Sequence, residues 1–160
     1  MTKLLVTLDG SSLSEQVLPH AAKLAQRLKA DVHLLMVAQG AGRGMEEGVA
    51  PAFDRFIQAG TPVDTSVGNH GTARDDLDLE SYLKERALRF ESSQPLIKLL
   101  DGEDPAEQIV DYVRREGIDY IAMATHGRGG LSEVMQGSVA QAVVRAGEAP
   151  VFLVRPKDEG

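Results

Sequence analysis

Apolar positions fall along this chain in two rhythms. Continuous apolar stretches occur at Lys3–Asp9, Asp31–Ala38, Pro95–Leu100, Tyr120–Ala124 and Ala149–Val154. They are too short for helices and lack the in–out alternation of a half-solvated sheet, so they read as strands covered on both faces. Between them the spacing changes to that of a helix with one buried stripe. Leu13, Val17, Leu18, Ala21, Leu24, Ala25 and Leu28 mark the first such segment. Leu79, Leu83 and Ala87 mark a second over Asp75–Phe90, and Ile109, Val110 and Val113 a third. Val139, Ala142, Val143 and Ala146 mark the last.

Polar punctuation supports these boundaries. Gly10 stops the first strand, and Ser12 with Glu15 has the spacing of a capping box for the helix that follows. Asp104-Pro105-Ala106-Glu107 combines a cap, a proline at the first helical position and an acid in the first turn, and Gly117 ends that helix. Ser138 and Gln141 form another capping box. Strand and helix alternate, which predicts an open α/β architecture of parallel strands with right-handed crossovers. The rhythm lapses between Gln39 and about Arg74, where Gly40, Gly42, Gly44 and Gly48 precede a short helical candidate at Pro51–Ala59. A stretch of that length without pattern predicts a flexible, partly helical insertion at about 40–75 within a single domain spanning 1–160.

Composition narrows the chemistry. With 160 residues the chain has the length to bury a core without staples, and zero cysteines exclude disulfides and thiolate metal sites. The N-terminal apolar run ends at Asp9, too soon for a signal peptide or a membrane span; a cytoplasmic protein with no membrane association is expected. A formal charge of −7 and the absence of tryptophan argue against nucleic acid as a partner. Asp76, Asp78 and Glu80 alternate as in a calcium loop but lack the glycine and the ligand spacing beyond it. They read as a solvated helix face.

Candidate chemistry gathers in Ala124–Ser138. Here a buried strand ends in a glycine-rich stretch that leads into a capped helix, so backbone N–H groups and a helix dipole converge, a geometry suited to an anion. The stretch is not a P-loop, because Gly-Lys-Ser/Thr occurs nowhere in the chain. Nor is it a dinucleotide fingerprint, since Ser132 stands where the third glycine belongs and the loop follows a late strand. Nucleotidyl-transfer and nucleophile-elbow signatures are also missing, so no catalytic residue is assigned and an enzymatic role is not expected.

The same residues resemble the nucleotide-binding signature of the universal stress protein family, Gly-x2-Gly-x9-Gly-Ser/Thr. In this chain it reads Ala124-x2-Gly127-x9-Gly137-Ser138, with alanine in place of the first glycine. The likeness extends to Leu4–Ser11, Gly102–Ala106, Asp119–Leu131 and Pro150–Arg155. It implies a parallel sheet in the order 3-2-1-4-5 with helices on both faces. It also implies a homodimer in which the last strands, Val151–Val154, meet. Family members either bind ATP through the signature or lack it and bind none. By resemblance, Asp9 would accept from a ribose hydroxyl, Thr7 would lie against the base, and Val37 would offer adenine its backbone. Met123 and Ala124 would form the floor, with His126 near ribose and phosphates. Gly127, Gly137, Ser138 and Val139 would surround the phosphates, and Arg128 would add charge. The implied ligand is ATP, or AMP or ADP, with Mg²⁺ held through phosphates rather than by the protein alone. Two roles follow: a nucleotide-responsive regulator of the stress response, or a nucleotide-free dimeric interaction module.

Overall fold

Among the described residues, helices separate the strands along the chain. In the computed structural model, which describes residues 1–38, 73–91, 94–125 and 138–157, the strands are β1 (Lys3–Leu8), β2 (Asp31–Ala38), β3 (Leu96–Asp101), β4 (Tyr120–Ala124) and β5 (Val151–Val154). The helices are α1 (Ser12–Glu15), α2 (Val17–Leu28), α3 (Ala73–Ala87), α4 (Pro105–Glu116) and α5 (Ser138–Ala146). All pairings are parallel and the order is β3-β2-β1-β4-β5, as the sequence and its resemblance imply. The predicted helix at Pro51–Ala59 and nearly all of the predicted insertion lie outside the described residues.

Parallel strands need crossovers, and the crossovers cover both faces of the sheet. On one face Leu4, Val6, Leu8 and Leu34 pack with Val17, Leu18, Ala21 and Ala25 of α2 and with Leu79, Tyr82 and Leu83 of α3. On the other, Leu5, Leu35, Ile121 and Met123 pack with Ile109, Tyr112 and Val113 of α4 and with Ala140 and Val143 of α5. Each fully buried leucine contributes roughly 1.5–3 kcal/mol relative to leaving it in water. Leu4, Leu5, Leu34 and Leu35 are all completely buried, so the two central strands anchor both layers.

Several boundaries differ from the sequence reading, among them the second helical segment, read over Asp75–Phe90 and found at Ala73–Ala87, and the following have a local reason. The first helix is capped by Ser11, not Ser12: the Ser14 N–H donates to Ser11 Oγ at 3.1 Å. That helix also breaks at Gln16 into α1 and α2. Pro19 explains the break, because it has no N–H to donate to the Glu15 carbonyl and its ring crowds that carbonyl. The proline is harmless in the first turn of α2, where such donors have no helical partner anyway. Finally, β3 and β5 begin one and two residues later than the apolar runs suggest, at Leu96 and Val151, each immediately after a proline that supplies no ladder donor. By contrast, α4 matches its signals. Asp104 accepts from Ala106 N–H at 2.9 Å and Glu107 N–H at 3.2 Å, and Gly117 closes the helix at φ +62°.

One polar pair sits inside the apolar layer. His33 of β2 is only 6% exposed, and its Nδ1 lies 2.8 Å from the hydroxyl of Tyr112, which is fully buried on α4. Burial holds the His33 imidazole below its ordinary value, with the Lys3 ammonium adding to the effect. Burial and Glu116 push the Tyr112 phenol up to about 12. A histidine whose folded-state pKa is depressed binds fewer protons folded than unfolded. The stability it supports is therefore present above the unfolded value of about 6.5 and is lost as pH falls from there toward the folded value. Asparagine at position 33 keeps an acceptor near the Nδ1 position without the titration. Urea denaturation between pH 7.5 and 5 should show a shallower fall in stability for His33→Asn than for the parent chain, and parallel profiles would remove His33 as the cause.

Candidate functional site

The sheet order creates one topological switch point, between β1 and β4, where successive crossovers leave in opposite directions. In open α/β sheets ligands bind beyond the carboxyl ends of strands at such a point. The ladder pairs Val6 with Ala122, so two residues further on Leu8 and Ala124 end their strands at the same level. On the other side Leu8 pairs with Met36, which brings Val37 level with Asp9. The sheet thus delivers Thr7, Asp9, Val37, Met123 and Ala124 to a single carboxyl edge. Ser138 and Val139 open α5, which packs on the sheet from the α4 side.

These residues do not all face the same way. Met123 packs in the layer with α4 and α5, whereas Ala124 packs in the layer with α2 and α3. Val37 lies against the α4–α5 layer, and Thr7, two residues on from Leu5, falls on that same face and is 8% exposed. A floor built from Met123 and Ala124 is therefore split across the sheet: Met123 lies on the α4–α5 side and Ala124 on the α2–α3 side. His126, Gly127, Arg128 and Gly137 lie outside the described residues, and so does the side chain of Ser138.

Asp9 is an ionisable group at this edge, exposed between β1 and α1. Its Oδ1 accepts from the Ser11 N–H at 2.9 Å and from the Ser11 hydroxyl at 2.6 Å. The first bond is an Asx turn, which Gly10 permits by taking φ +82°. The Asp9 N–H donates to Ser14 Oγ at 3.3 Å, and the buried Ser14 hydroxyl donates to the Ser11 carbonyl at 2.8 Å. Asp9-Gly10 thus forms a turn, and this turn holds an exposed carboxylate at the switch point. Sequence reasoning missed Ser11 and Ser14. The signal was there in three serines around a glycine, but Ser12 with Glu15 matched the capping box equally well.

Among the described residues no cluster of histidine and carboxylate side chains has metal-binding geometry, and no helix is long and apolar enough to cross a membrane. At the far edge of the sheet, a groove of about 500 Å³ runs between α2 and β5, with His20, Lys23 and Arg27 on one wall and Phe152 and Val154 on the other. Phe152 is 42% and Leu153 47% exposed on opposite faces of this strand. Val154 instead packs against the core, while the Phe152 ring sits 5.9 Å from that of Tyr120.

The model of the universal stress protein family matches residues 1–155. The universal stress protein YxiE of Bacillus subtilis is 27% identical over 155 residues, covering 96% of this chain and 98% of its own. A universal stress protein of Methanocaldococcus jannaschii is 28% identical over 159 residues, covering 98% of this chain and 84% of its own. Among solved structures, a universal stress protein in complex with cAMP superposes with a TM-score of 0.65 at 16% identity, over 98% of both chains. The Archaeoglobus fulgidus universal stress protein in complex with dAMP gives 0.58 at 20% identity, over 96% of this chain and 97% of its own.

The described part of the site makes one stability prediction. Ser11→Ala removes both the α1 cap and the hydroxyl bond to Asp9, and a lost serine cap costs typically about 1 kcal/mol. Chemical denaturation should report a loss of that size, and an unchanged midpoint would show that the cap is not holding the turn.

Proposed function

The chain belongs to the universal stress protein family, and from that premise we propose that it binds an adenine nucleotide at the carboxyl ends of β1 and β4 and acts as a regulator rather than as an enzyme. The observation that carries this reading is the exposed Asp9 carboxylate, held by Ser11 at the switch point, on the edge where β4 leads into the Ala124–Ser138 signature. Two fold relatives, bound to cAMP and to dAMP, support an adenine nucleotide as the ligand class.

In this reading Asp9 accepts from a ribose hydroxyl, and the Val37 backbone meets the adenine edge. Thr7 and Met123 lie beneath the base on the face toward α4 and α5, with Ala124 on the opposite face. His126, Gly127, Arg128, Gly137, Ser138 and Val139 surround the phosphates, and Mg²⁺ joins only with them. The residue set fits such a ligand, because it combines one anionic hydrogen-bond acceptor with a glycine-rich approach to the N-terminus of α5. Isothermal titration of nucleotide-stripped protein with Mg²⁺–ATP, AMP and cAMP tests the reading. A charge-assisted bond contributes roughly 1.5–3 kcal/mol, so Asp9→Asn should weaken binding by about tenfold or more. Ala124→Gly restores the family pattern and should leave affinity equal or higher. No heat from either the parent or Ala124→Gly at millimolar nucleotide would refute nucleotide binding.

A second reading rests on a different observation, the apolar edge at β5. Here the chain serves as a dimeric interaction module without nucleotide, its partner a second copy paired antiparallel along Val151–Val154. An edge strand with Phe152 and Leu153 exposed invites such pairing. Leu153→Lys leaves the core contact of Val154 intact and should yield monomers in sedimentation velocity. An unchanged dimer would place the interface elsewhere.

A further inference from the structure

The one-turn helix α1 joins three parts of the chain that are distant in sequence. At its start, Ser11 and Ser14 tie it to Asp9 through three hydrogen bonds, the Ser11 N–H and hydroxyl to Asp9 Oδ1 and Asp9 N–H to Ser14 Oγ, and the Ser14 N–H caps onto Ser11 Oγ. The next residue, Glu15, accepts at Oε1 from the Tyr82 hydroxyl and from Arg86 Nη2, both at 2.9 Å. These partners lie on α3, 67 and 71 residues away. The following residue, Gln16, grips the segment after β5: its Nε2–H donates to the Lys157 carbonyl at 2.9 Å, and its Oε1 accepts from the Lys157 N–H at 2.8 Å. This double bond pattern is that of a strand pairing, made here by a side-chain amide across 141 residues.

Both grips are more than surface decoration. Tyr82 is 5% exposed and the Arg86 guanidinium lies 4.3 Å from the centre of its ring, so Glu15 is held in a partly desolvated pocket. Pro156, between Arg155 and Lys157, is buried, which fixes the path of the tail toward Gln16. A four-residue helix has too few internal hydrogen bonds to hold its own position. The Pro19 break uncouples it from the stiffness of α2. Its placement is therefore determined by Asp9, α3 and the tail together.

We propose that α1 is a coupling element, which transmits a change at the Asp9 turn to α3 on one side and to the segment following the edge strand β5 on the other. A hydroxyl that competes with Ser11 for the Asp9 carboxylate loosens or rotates the cap. Because Glu15 and Gln16 follow within the same turn, their partners must move or their bonds lengthen. The device links the ligand edge of the sheet to α3 and to the segment after β5. Its ligand-driven half rests on the nucleotide reading; the mechanical link does not.

Amide hydrogen exchange followed by NMR on the whole chain tests both halves. In the absence of ligand, Gln16→Ala should speed exchange at Lys157 and also at Ser11 and Ser14 across the helix, by about threefold or more. Gln16→Glu, which keeps the acceptor for the Lys157 N–H, should show a smaller effect. A change confined to Lys157 and its neighbours would overturn the coupling. With Mg²⁺–ATP, signals of Gly10 and Ser11 in the parent should shift together with those of Arg86 and Lys157. In Gln16→Ala the Lys157 shift should vanish while Gly10 and Ser11 still respond. A Lys157 shift that survives there would overturn the proposal and leave binding intact. Silence at Gly10 and Ser11 refutes the nucleotide reading instead, and the ligand-free comparison then decides the coupling.

Discussion

The parallel setting of β1 between β2 and β4 is the constraint on which the rest of the structure depends. Leu4, Leu5 and Val6 have no exposed surface, so this strand must be covered above and below. Parallel neighbours cannot be joined by tight turns, and each connection becomes a helix laid on one face. The crossover to β2 leaves on the α2 side and the crossover into β4 arrives from the α4 side. Their divergence opens the carboxyl edge at β1, and Asp9 stands there because β1 ends there. Site and core are consequences of the same strand.

Beyond β1, polar residues do work that apolar packing does not. The core would tolerate exchange among leucine, isoleucine and valine of similar volume. It would not tolerate loss of partner at His33 and Tyr112, whose polar atoms are buried together and satisfy each other. Likewise Glu15 brings Tyr82 and Arg86 of α3 to one oxygen atom. Such pairs fix which helix lies over which strand, a specificity that hydrophobic burial alone supplies weakly.

The charge distribution separates two regions of the surface. The chain carries a net −7, yet His20, Lys23 and Arg27 line one wall of the groove beside β5. Phe152 and Leu153 are exposed on that same edge strand. The carboxyl edge differs: among the described residues it exposes Asp9. The proposed pairing edge and the proposed ligand edge thus lie at different places on one sheet. Through Gln16 and Lys157 they also share a mechanical connection.

Local signals were enough for most elements. Asp104, Pro105 and Gly117 define α4 by themselves, since each acts through its own backbone and nearest neighbours. The apolar runs at Leu4–Leu8, Asp31–Ala38 and Tyr120–Ala124 specify buried strands because nothing else can satisfy so much apolar surface in so few residues. The candidate site was legible as a carboxylate after the first strand and a glycine-rich stretch after the fourth. What sequence could not decide was orientation. Neighbours on a strand face opposite sides, so Met123 and Ala124 could never share one floor; only the assembled sheet decides that α4 and α5 cover Met123 while α2 and α3 cover the layer of Ala124. Ser11 prevailed over Ser12 as the cap because Asp9 lies within reach of its hydroxyl, a preference invisible in the spacing. The bonds from Glu15 to Arg86 and from Gln16 to Lys157 join residues 71 and 141 apart, and such pairings exist only once the core has brought those segments together.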